Sequence, residues 1–135
     1  MSAPLACPPT PCGSCPLRRD TPPGIWHPSE YAKLPLYDDQ APEFAVFHCH
    51  QENATGVPTV CKGWLAVFGF EAIAVRLAVS RGELTVEQVE APCKVELYAS
   101  GAEACAAGLA GVNQPGEKAQ RAIARLTAKG IGIES

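Results

Sequence analysis

The sequence predicts a small, single α+β domain with a short sheet, three to four helices and a proline-rich N-terminal segment clamped by a four-cysteine metal site. Three observations support this fold class. The chain has 135 residues, a usual length for one domain. Hydrophobic residues make up 47% and charged residues 19%, enough apolar material for one core. Seven cysteines and 13 prolines are unusually many for this length. We expect one domain over 1–135, with the proline-rich segment at 1–42 and the α+β core at 43–135.

The segment 1–42 holds ten of the 13 prolines, which favours irregular structure. A short helix is expected from His27 or Pro28 through Lys33, ended by Pro35, because a residue before proline avoids the helical region. Ordering such a segment costs about 1 to 2 kcal/mol of backbone entropy per residue, and it has no apolar face of its own to offset this cost. The sequence therefore predicts a clamp, and a metal site is the available one.

The first part of the core predicts a strand and a long helix. The run from Phe44 to His50 is rich in aromatic and β-favouring residues, which is typical of a buried strand. Apolar residues then recur at helical spacing from Cys61 to Val79, although Gly69 weakens this helix. The helix is expected to stop at Arg81 and Gly82. The residues from Leu84 to Val89 fit a helix capped by Thr85 and Gln88, or a strand. The apolar face of the long helix is formed by Leu65, Phe68, Ala72, Val75 and Val79.

The second part of the core predicts a further strand and two helices. Alternation from Lys94 to Tyr98 indicates a half-exposed strand. Ser100 and Glu103 form a predicted capping box before an alanine-rich helix that ends near Gly111. The last helix is expected from Pro115 to Gly130, with one apolar and one basic stripe. The apolar stripe is Ala119, Ala122, Ile123 and Leu126, and the basic one is Lys118, Arg121, Arg125 and Lys129.

Four cysteines carry the predicted chemistry. Cys12 and Cys15 form a Cys-x2-Cys pair, and we expect Gly13 to turn the chain so that both sulfurs face one point. Cys49 at a strand end and Cys61 at a helix start could converge on that point and complete a four-sulfur metal site. The alternative is that Cys49 is a small buried apolar residue and only the N-terminal pair binds metal.

The spacing favours a [4Fe-4S] iron–sulfur cluster, with zinc as the alternative. Scattered cysteines suit the corners of a preformed cube, and a proline after a ligating cysteine occurs in ferredoxin-type sequences. Structural zinc sites usually combine two tight pairs, which this sequence lacks. His48 and His50 are possible zinc ligands, but strand alternation places both on the face opposite Cys49. Arg18 and Arg19 are expected to stabilise thiolates, or to form ordinary ion pairs with Asp20.

The remaining features exclude several classes of protein. A net charge of −3 argues against binding nucleic acid through bulk positive charge. The N-terminus lacks the apolar run of a secretory signal, and the longest apolar stretch is too short for a membrane span, so a cytoplasmic location is expected. No nucleotide-binding loop or nucleophile motif occurs, so an enzyme is not favoured. Cys7, Cys93 and Cys105 are expected to lie outside the metal site.

Four motifs stand out in the sequence: PCGSCPLRRD from Pro11, PPGIW from Pro22, FHCHQ from Phe47 and CKGWLAV from Cys61. In these motifs the sequence resembles a small cysteine-rich family of unknown function that occurs in actinobacteria and their phages. The resemblance implies that Cys12, Cys15, Cys49 and Cys61 belong to one pattern, and it implies no activity. A chain encoded by a phage would act in the cytoplasm of the host cell.

Three function classes fit these observations. The first is a regulatory or interaction module built around the four-cysteine site. The second is a redox-sensing or electron-transfer iron–sulfur protein. The third is a small metalloenzyme, which four cysteine ligands disfavour because catalytic zinc keeps a coordination position open. A structural zinc protein could contact a protein partner, or a nucleic acid through the basic stripe of Lys118, Arg121, Arg125 and Lys129, although the acidic chain does not favour nucleic acid.

Overall fold

The computed structural model describes residues 4–38, 45–49 and 57–128, and these residues are mostly helical. Several of the helices have only five residues. A short 3-10 helix, Gly69–Glu71, lies between the helices Lys62–Phe68 and Ile73–Ser80. The α-helices are α1 (Pro28–Ala32), α2 (Leu34–Asp38), α3 (Lys62–Phe68), α4 (Ile73–Ser80), α5 (Val86–Glu90), α6 (Gly101–Leu109) and α7 (Glu117–Ala128).

The predicted sheet is wrong: within the described ranges there is no β-strand, and the α+β fold class is corrected to a mainly helical one. The expected three to four helices are also too few, because the described residues form seven α-helices. The two segments expected as strands make only isolated bridges, at His48 and at Leu97. Phe44 and His50, the ends of the first expected strand, lie outside the described residues. The aromatic and alternating patterns therefore reflect side-chain packing without an extended ladder.

The first bridge region stays short because the chain around it cannot continue a ladder. His48 pairs antiparallel with Val60, and Ala6 pairs in parallel with Thr59 on the other side of the same segment. Pro58 has no backbone N–H to donate, and helix α3 begins directly after Cys61. Only the residues between these two limits are free to pair with a neighbouring segment.

The second bridge region is limited in the same way. Arg18 bridges Leu97, Arg19 N–H donates to the Glu96 carbonyl over 3.1 Å, and Tyr98 N–H donates to the Leu17 carbonyl over 2.9 Å. The chain turns here, because the Arg18 N–H donates to the Cys15 carbonyl over 3.1 Å, and the pairing with 96–98 stops at this turn. The N-terminal segment is thus attached to 96–98 without forming a strand.

The predicted helix from Cys61 to Val79 is broken near its middle. Gly69 adopts φ +51°, a conformation that side-chain-bearing residues rarely take, and it ends α3. The larger change of direction comes three residues later, at the extended residue Ala72, where Lys62–Glu71 and Ile73–Ser80 are bent by 93°. In the described part of the chain no single helix is long and apolar enough to span a membrane. Lys62–Glu71 and Ile73–Ser80 reach that length and apolar character only when they are counted together across the bend.

Two helices begin at the residues that the sequence predicts. Thr85 caps α5 through a complete capping box with Gln88, which decides between the helix and the strand expected there. Ser100 caps α6 by accepting a hydrogen bond from the Glu103 N–H. The other interaction of the predicted capping box, from the Glu103 side chain back to the Ser100 N–H, is replaced by an ion pair, because the Glu103 carboxylate contacts Arg19 over 2.6 Å.

Helices α1 and α2 pack against α6 and connect the N-terminal segment to the core. The Asp38 carboxylate accepts hydrogen bonds from the Gly101 and Ala102 N–H groups, over 2.6 and 2.8 Å, and so caps α6 from outside. Tyr31 lies directly on Gly108, where no side chain would fit. Pro35 does not end the helical region as expected, because it falls in the first turn of α2, where a missing N–H is tolerated.

Close approach of backbone to backbone fixes the loop after Pro22. Gly24 has φ +85°, and a side chain there would overlap the Gly111 carbonyl; a side chain at Gly111 would overlap Pro23. The surrounding core joins this segment to the C-terminal helices. Its largest fully buried side chains include Leu17, Ile25, Tyr31, Leu34, Val60, Trp64, Leu65 and Val75.

The last helix follows the predicted pattern over its described length. Its buried residues are Ala119, Ala122 and Leu126, three of the four members of the predicted apolar stripe, and Ile123 is partly buried. The expected end at Gly130 lies outside the described residues. The basic stripe therefore points away from the core.

We expect the Gly108→Ala substitution to lower the free energy of unfolding by about 1 to 3 kcal/mol, because the new methyl group would meet the Tyr31 ring. This loss would outweigh the gain of about 1 kcal/mol that alanine brings to a helix. Urea denaturation followed by circular dichroism measures it. Gly13→Ala is the control, since nothing lies within 4 Å of its added carbon and its φ is not left-handed, and it should change stability by less than about 0.5 kcal/mol. Equal losses in both variants would contradict this packing.

Candidate metal centre

Two of the four predicted ligands lie in contact. The Cys15 and Cys61 sulfurs are 3.7 Å apart, although 46 residues separate them in the chain. Both side chains are buried, with 1% and 5% of their surface exposed. This contact joins the proline-rich segment to the start of α3.

Hydrogen bonds hold the loop that carries Cys12 and Cys15. The Cys15 N–H donates to the Cys12 carbonyl over 3.0 Å, which closes a tight turn. The Thr21 hydroxyl donates to the Cys15 carbonyl over 2.7 Å, and Trp26 Nε1 donates to the Ser14 carbonyl over 2.8 Å. Gly13 has open space around it and no left-handed φ, so the turn does not depend on glycine as expected.

Arg18 closes the same loop from outside. Its Nη1 donates to the Pro11 carbonyl over 2.9 Å, and its Nε and Nη2 donate to both Asp20 carboxylate oxygens over 2.8 and 2.9 Å. Hydrogen bonding to Asp20 is the main cause of a raised pKa of Arg18, and partial burial acts in the opposite direction. The predicted pairing of Asp20 is therefore confirmed with Arg18. Its planar fork holds both ends of the loop at once, which a lysine cannot do.

Cys61 is positioned by the start of α3. It is the N-cap residue, in an extended conformation, and its sulfur accepts a hydrogen bond from the Trp64 N–H over 3.5 Å. Gly63 lets this helix approach the loop closely. A side-chain carbon at Gly63 would lie 2.8 Å from the Cys15 sulfur and 3.3 Å from Cβ of Leu17.

Cys49 is placed next to this region by backbone pairing. Its N–H donates to the Thr59 carbonyl over 2.8 Å, and the Cys61 N–H donates to the Phe47 carbonyl over 2.8 Å. In this antiparallel register Phe47, Cys49 and Cys61 share one face, while His48 lies on the other. His48 is exposed, which fits its predicted place outside the site, and His50 lies outside the described residues.

The four cysteines do not form a closed ligand set. Across residues 4–38, 45–49 and 57–128, no three His, Cys, Asp or Glu side chains are grouped tightly enough to hold a metal ion. Cys12 lies near enough to act electrostatically on Cys61, and its sulfur is 3.7 Å from the Ser14 hydroxyl. The structure thus places two of the four sulfurs, those of Cys15 and Cys61, in contact. Cys12 lies close to this pair, and Cys49 lies on the segment that pairs with 59–61.

The environment of Cys61 strongly favours its neutral thiol. The hydrogen bond with Cys15 is the largest cause, and burial is the next, of a pKa well above the ordinary value. The hydrogen bond from the Trp64 N–H acts in the opposite direction but is weaker. A thiol in this setting is a poor nucleophile, because reactivity needs an accessible thiolate.

The other three cysteines lie apart from the sulfur contact. Cys7 is partly buried, and its pKa is raised mainly by that burial, while Lys62 lowers it. The Cys93 sulfur faces the Val95 carbonyl at 3.6 Å. Cys105 is partly buried within α6, and desolvation raises its pKa. In the parallel register with Thr59, Cys7 lies on the face opposite Cys61.

Several residues that shape the site were not predicted from the sequence. Thr21 and Trp26 hold the cysteine loop through its carbonyl groups, and Gly63 makes room for the Cys15 sulfur. The glycine directly after Cys61 and Lys62 was the available signal, because a glycine in the first turn of a helix indicates close approach of another segment. Nothing in the spacing of Thr21 or Trp26 points to their hydrogen bonds.

A family model described as a family of unknown function (DUF6283) matches residues 7–126. The chain belongs to this family. The match confirms the resemblance to an uncharacterised family, and it extends from Cys7 to Leu126 in the last helix. The search of curated proteins and the search of solved structures found no match.

In this DUF6283 chain the predicted basic stripe lies on the exposed face of α7. Lys118, Arg121 and Arg125 are exposed, and Arg121 is paired with Glu117 over 3.7 Å. Lys118 and Arg121 also line one side of a 520 Å³ cleft, opposite the loop from Arg19 to Pro23. Lys129, the fourth member of the stripe, lies outside the described residues.

The raised pKa of Cys61 predicts that the reduced, metal-free protein loses stability as the pH rises above about 8.5, the pKa of an exposed cysteine. Above that pH an unfolded chain releases the Cys61 proton while the folded chain keeps it, so rising pH favours unfolding. Cys61→Ser keeps an acceptor for the helix start without this titration, and should show a shallower decline. Urea denaturation between pH 7.5 and about 9.5 stays below the ordinary tyrosine pKa of about 10. Cys93→Ser should keep the wild-type slope, and a wild-type slope in Cys61→Ser would contradict this assignment.

Proposed function

We propose that this protein is a metal-binding module in which Cys12, Cys15, Cys49 and Cys61 are the ligands. The observation that supports it is the 3.7 Å contact between the Cys15 and Cys61 sulfurs, which are brought together from two distant parts of the chain. Cys12 belongs to the same tight turn as Cys15. Cys49 shares a face with Cys61 through the pairing around His48. Binding would have to draw Cys12 and Cys49 in to complete the set.

Metal binding accounts for the chemistry of this pair better than thiol catalysis does. The hydrogen bond with Cys15 and burial hold Cys61 in its neutral form. A bound cation inverts this effect, since a coordinating thiol is deprotonated outright. A catalytic cysteine, in contrast, would need exposure that Cys15 and Cys61 lack.

The function we infer for the metal is to clamp the proline-rich segment onto the helical core. Between Pro4 and Asp20 the described chain has no helix and makes few regular hydrogen bonds. The free energy of binding becomes folding free energy when the site forms only in the folded chain. A four-thiolate site has no open coordination position, so the protein acts as a regulatory or interaction module and not as an enzyme.

The metal group itself has two candidates. A [4Fe-4S] cluster, favoured by the scattered spacing of the cysteines, would make the module a redox sensor or electron carrier. A zinc ion would make it a structural module that presents a face, such as the basic stripe of α7, to an acidic protein partner or to nucleic acid. We further propose a cytoplasmic location and an origin in actinobacteria or their phages, the latter placing it in the host cell.

Serine replacement of Cys12, Cys15, Cys49 or Cys61 should each lower bound metal to well below one site per chain, because serine is a much weaker ligand for thiophilic metals. Inductively coupled plasma mass spectrometry of purified protein measures the content. Limited proteolysis should show faster cleavage between Pro4 and Asp20 in these variants. Cys105→Ser is the matched control, since this cysteine lies in α6, and should keep its metal. Equal metal loss at Cys105 would contradict the ligand assignment.

Replacing Arg18 with lysine should weaken metal binding by about 10- to 100-fold, the usual cost of removing a residue that orients ligands. Lysine keeps the charge but cannot hold the Pro11 carbonyl and the Asp20 carboxylate together. Competition against a chelator of known affinity measures the change. Arg19→Lys is the matched control, because Arg19 binds the Leu97 carbonyl and Glu103 and stacks over Tyr98. If Arg18→Lys binds metal as tightly as Arg19→Lys, this role of Arg18 is wrong.

A further inference from the structure

We infer that the centre holds a single zinc ion, with Cys15 and Cys61 binding the same metal, and not a four-iron cluster. This inference rests on the proposed metal-binding function and specifies its ligand. It reverses the preference that the spacing of the cysteines gave. Two independent observations carry it: the distance between the two sulfurs, and the space beside one of them.

The sulfur–sulfur distance is that of one edge of a zinc tetrahedron. Thiolates bind zinc at about 2.3 Å, and two ligands at the tetrahedral angle then lie about 3.8 Å apart. The Cys15 and Cys61 sulfurs are separated by 3.7 Å. These two ligands would therefore need almost no movement to bind one ion.

A four-iron cluster would require a different arrangement. Its four thiolates each bind a separate iron at a separate corner of the cube. Two such sulfurs are separated by an iron–iron edge and by two outward-pointing iron–sulfur bonds, a span well beyond a tetrahedral edge. Cys15 and Cys61 would have to move apart to accept the cluster.

The packing around Cys15 opposes such a movement. The first turn of α3 lies directly against its sulfur, where even one carbon on Gly63 would come within 2.8 Å. Leu17 lies on the same side, 3.3 Å from that position, and is 1% exposed. On the other side the Cys15 carbonyl is fixed by the Thr21 hydroxyl. One ion between the sulfurs leaves these contacts in place, whereas a cube beside Cys15 displaces α3.

Metal and sulfide analysis of the full-length protein tests the inference. The protein is purified anaerobically from cells supplied with both iron and zinc, and zinc, iron and acid-labile sulfide are measured per chain. We expect about one zinc, with negligible iron and sulfide. About four irons with four sulfides, or any iron-containing site with zinc absent, would overturn the zinc assignment while supporting a metal centre. Protein that binds neither zinc nor a reconstituted cluster would refute the proposed function itself.

Cobalt substitution then counts the ligands. Co²⁺ replaces zinc in tetrahedral sites, and its sulfur-to-metal charge-transfer absorption increases with the number of bound thiolates. The metal-free wild-type chain titrated with Co²⁺ should show the spectrum of a tetrahedral four-thiolate site. Cys15→Ser and Cys61→Ser should each lower the charge-transfer absorption by about a quarter or abolish binding, since each removes one of four ligands. Cys93→Ser should match the wild type. An octahedral cobalt spectrum in the wild type would overturn the single tetrahedral site.

Discussion

The contact between Cys15 and Cys61 is the constraint on which the N-terminal half of this structure depends. A segment with so many prolines lacks both the N–H groups and the apolar periodicity that would hold it by itself. Its backbone groups find partners elsewhere, as when the Leu5 N–H donates to Glu83 and the Ala6 N–H to Pro58. The sulfur contact is the buried centre of these attachments. Around it the segment is buried from Ser14 to Leu17 and forms part of the core.

The same constraint explains how α3 begins. Cys61 ends the extended segment that pairs with Phe47, caps the helix with its sulfur, and contacts Cys15. Cys61 thereby positions the Phe47 segment, the start of α3 and the Cys15 loop relative to one another. The glycine two positions later allows the helix to lie against the loop, Gly69 ends the helix, and the chain then bends by 93° at Ala72, just before α4. The site and the helical core are therefore built by one short stretch of sequence.

The sequence predicted local features better than it predicted the fold class. The starts of α5 and α6, the apolar stripe of α7 and the Arg18–Asp20 pair follow from chemistry within a few residues, at Thr85, Ser100 and Asp20. The sheet was wrong because strand patterns carry no information about whether a partner can extend the ladder. Here Pro58 interrupts one pairing, and the turn from Cys15 to Arg18 ends the other. The contact of Cys15 with Cys61 was expected from residue type, but the roles of Gly63, Thr21 and Trp26 depend on packing between distant segments.

Because the chain is synthesised from its N-terminus, the N-terminal segment is made before the residues that hold it. Ala6 pairs with Thr59, Cys15 meets Cys61, and Arg18 bridges Leu97, so every one of these partners is translated later than the residue it holds. Thr59 and Cys61 emerge from the ribosome when nearly half of the chain has been made, and Leu97 when nearly three quarters has. The turn from Cys12 to Cys15 can close by itself, but the segment completes its folding only when these later residues supply their surface.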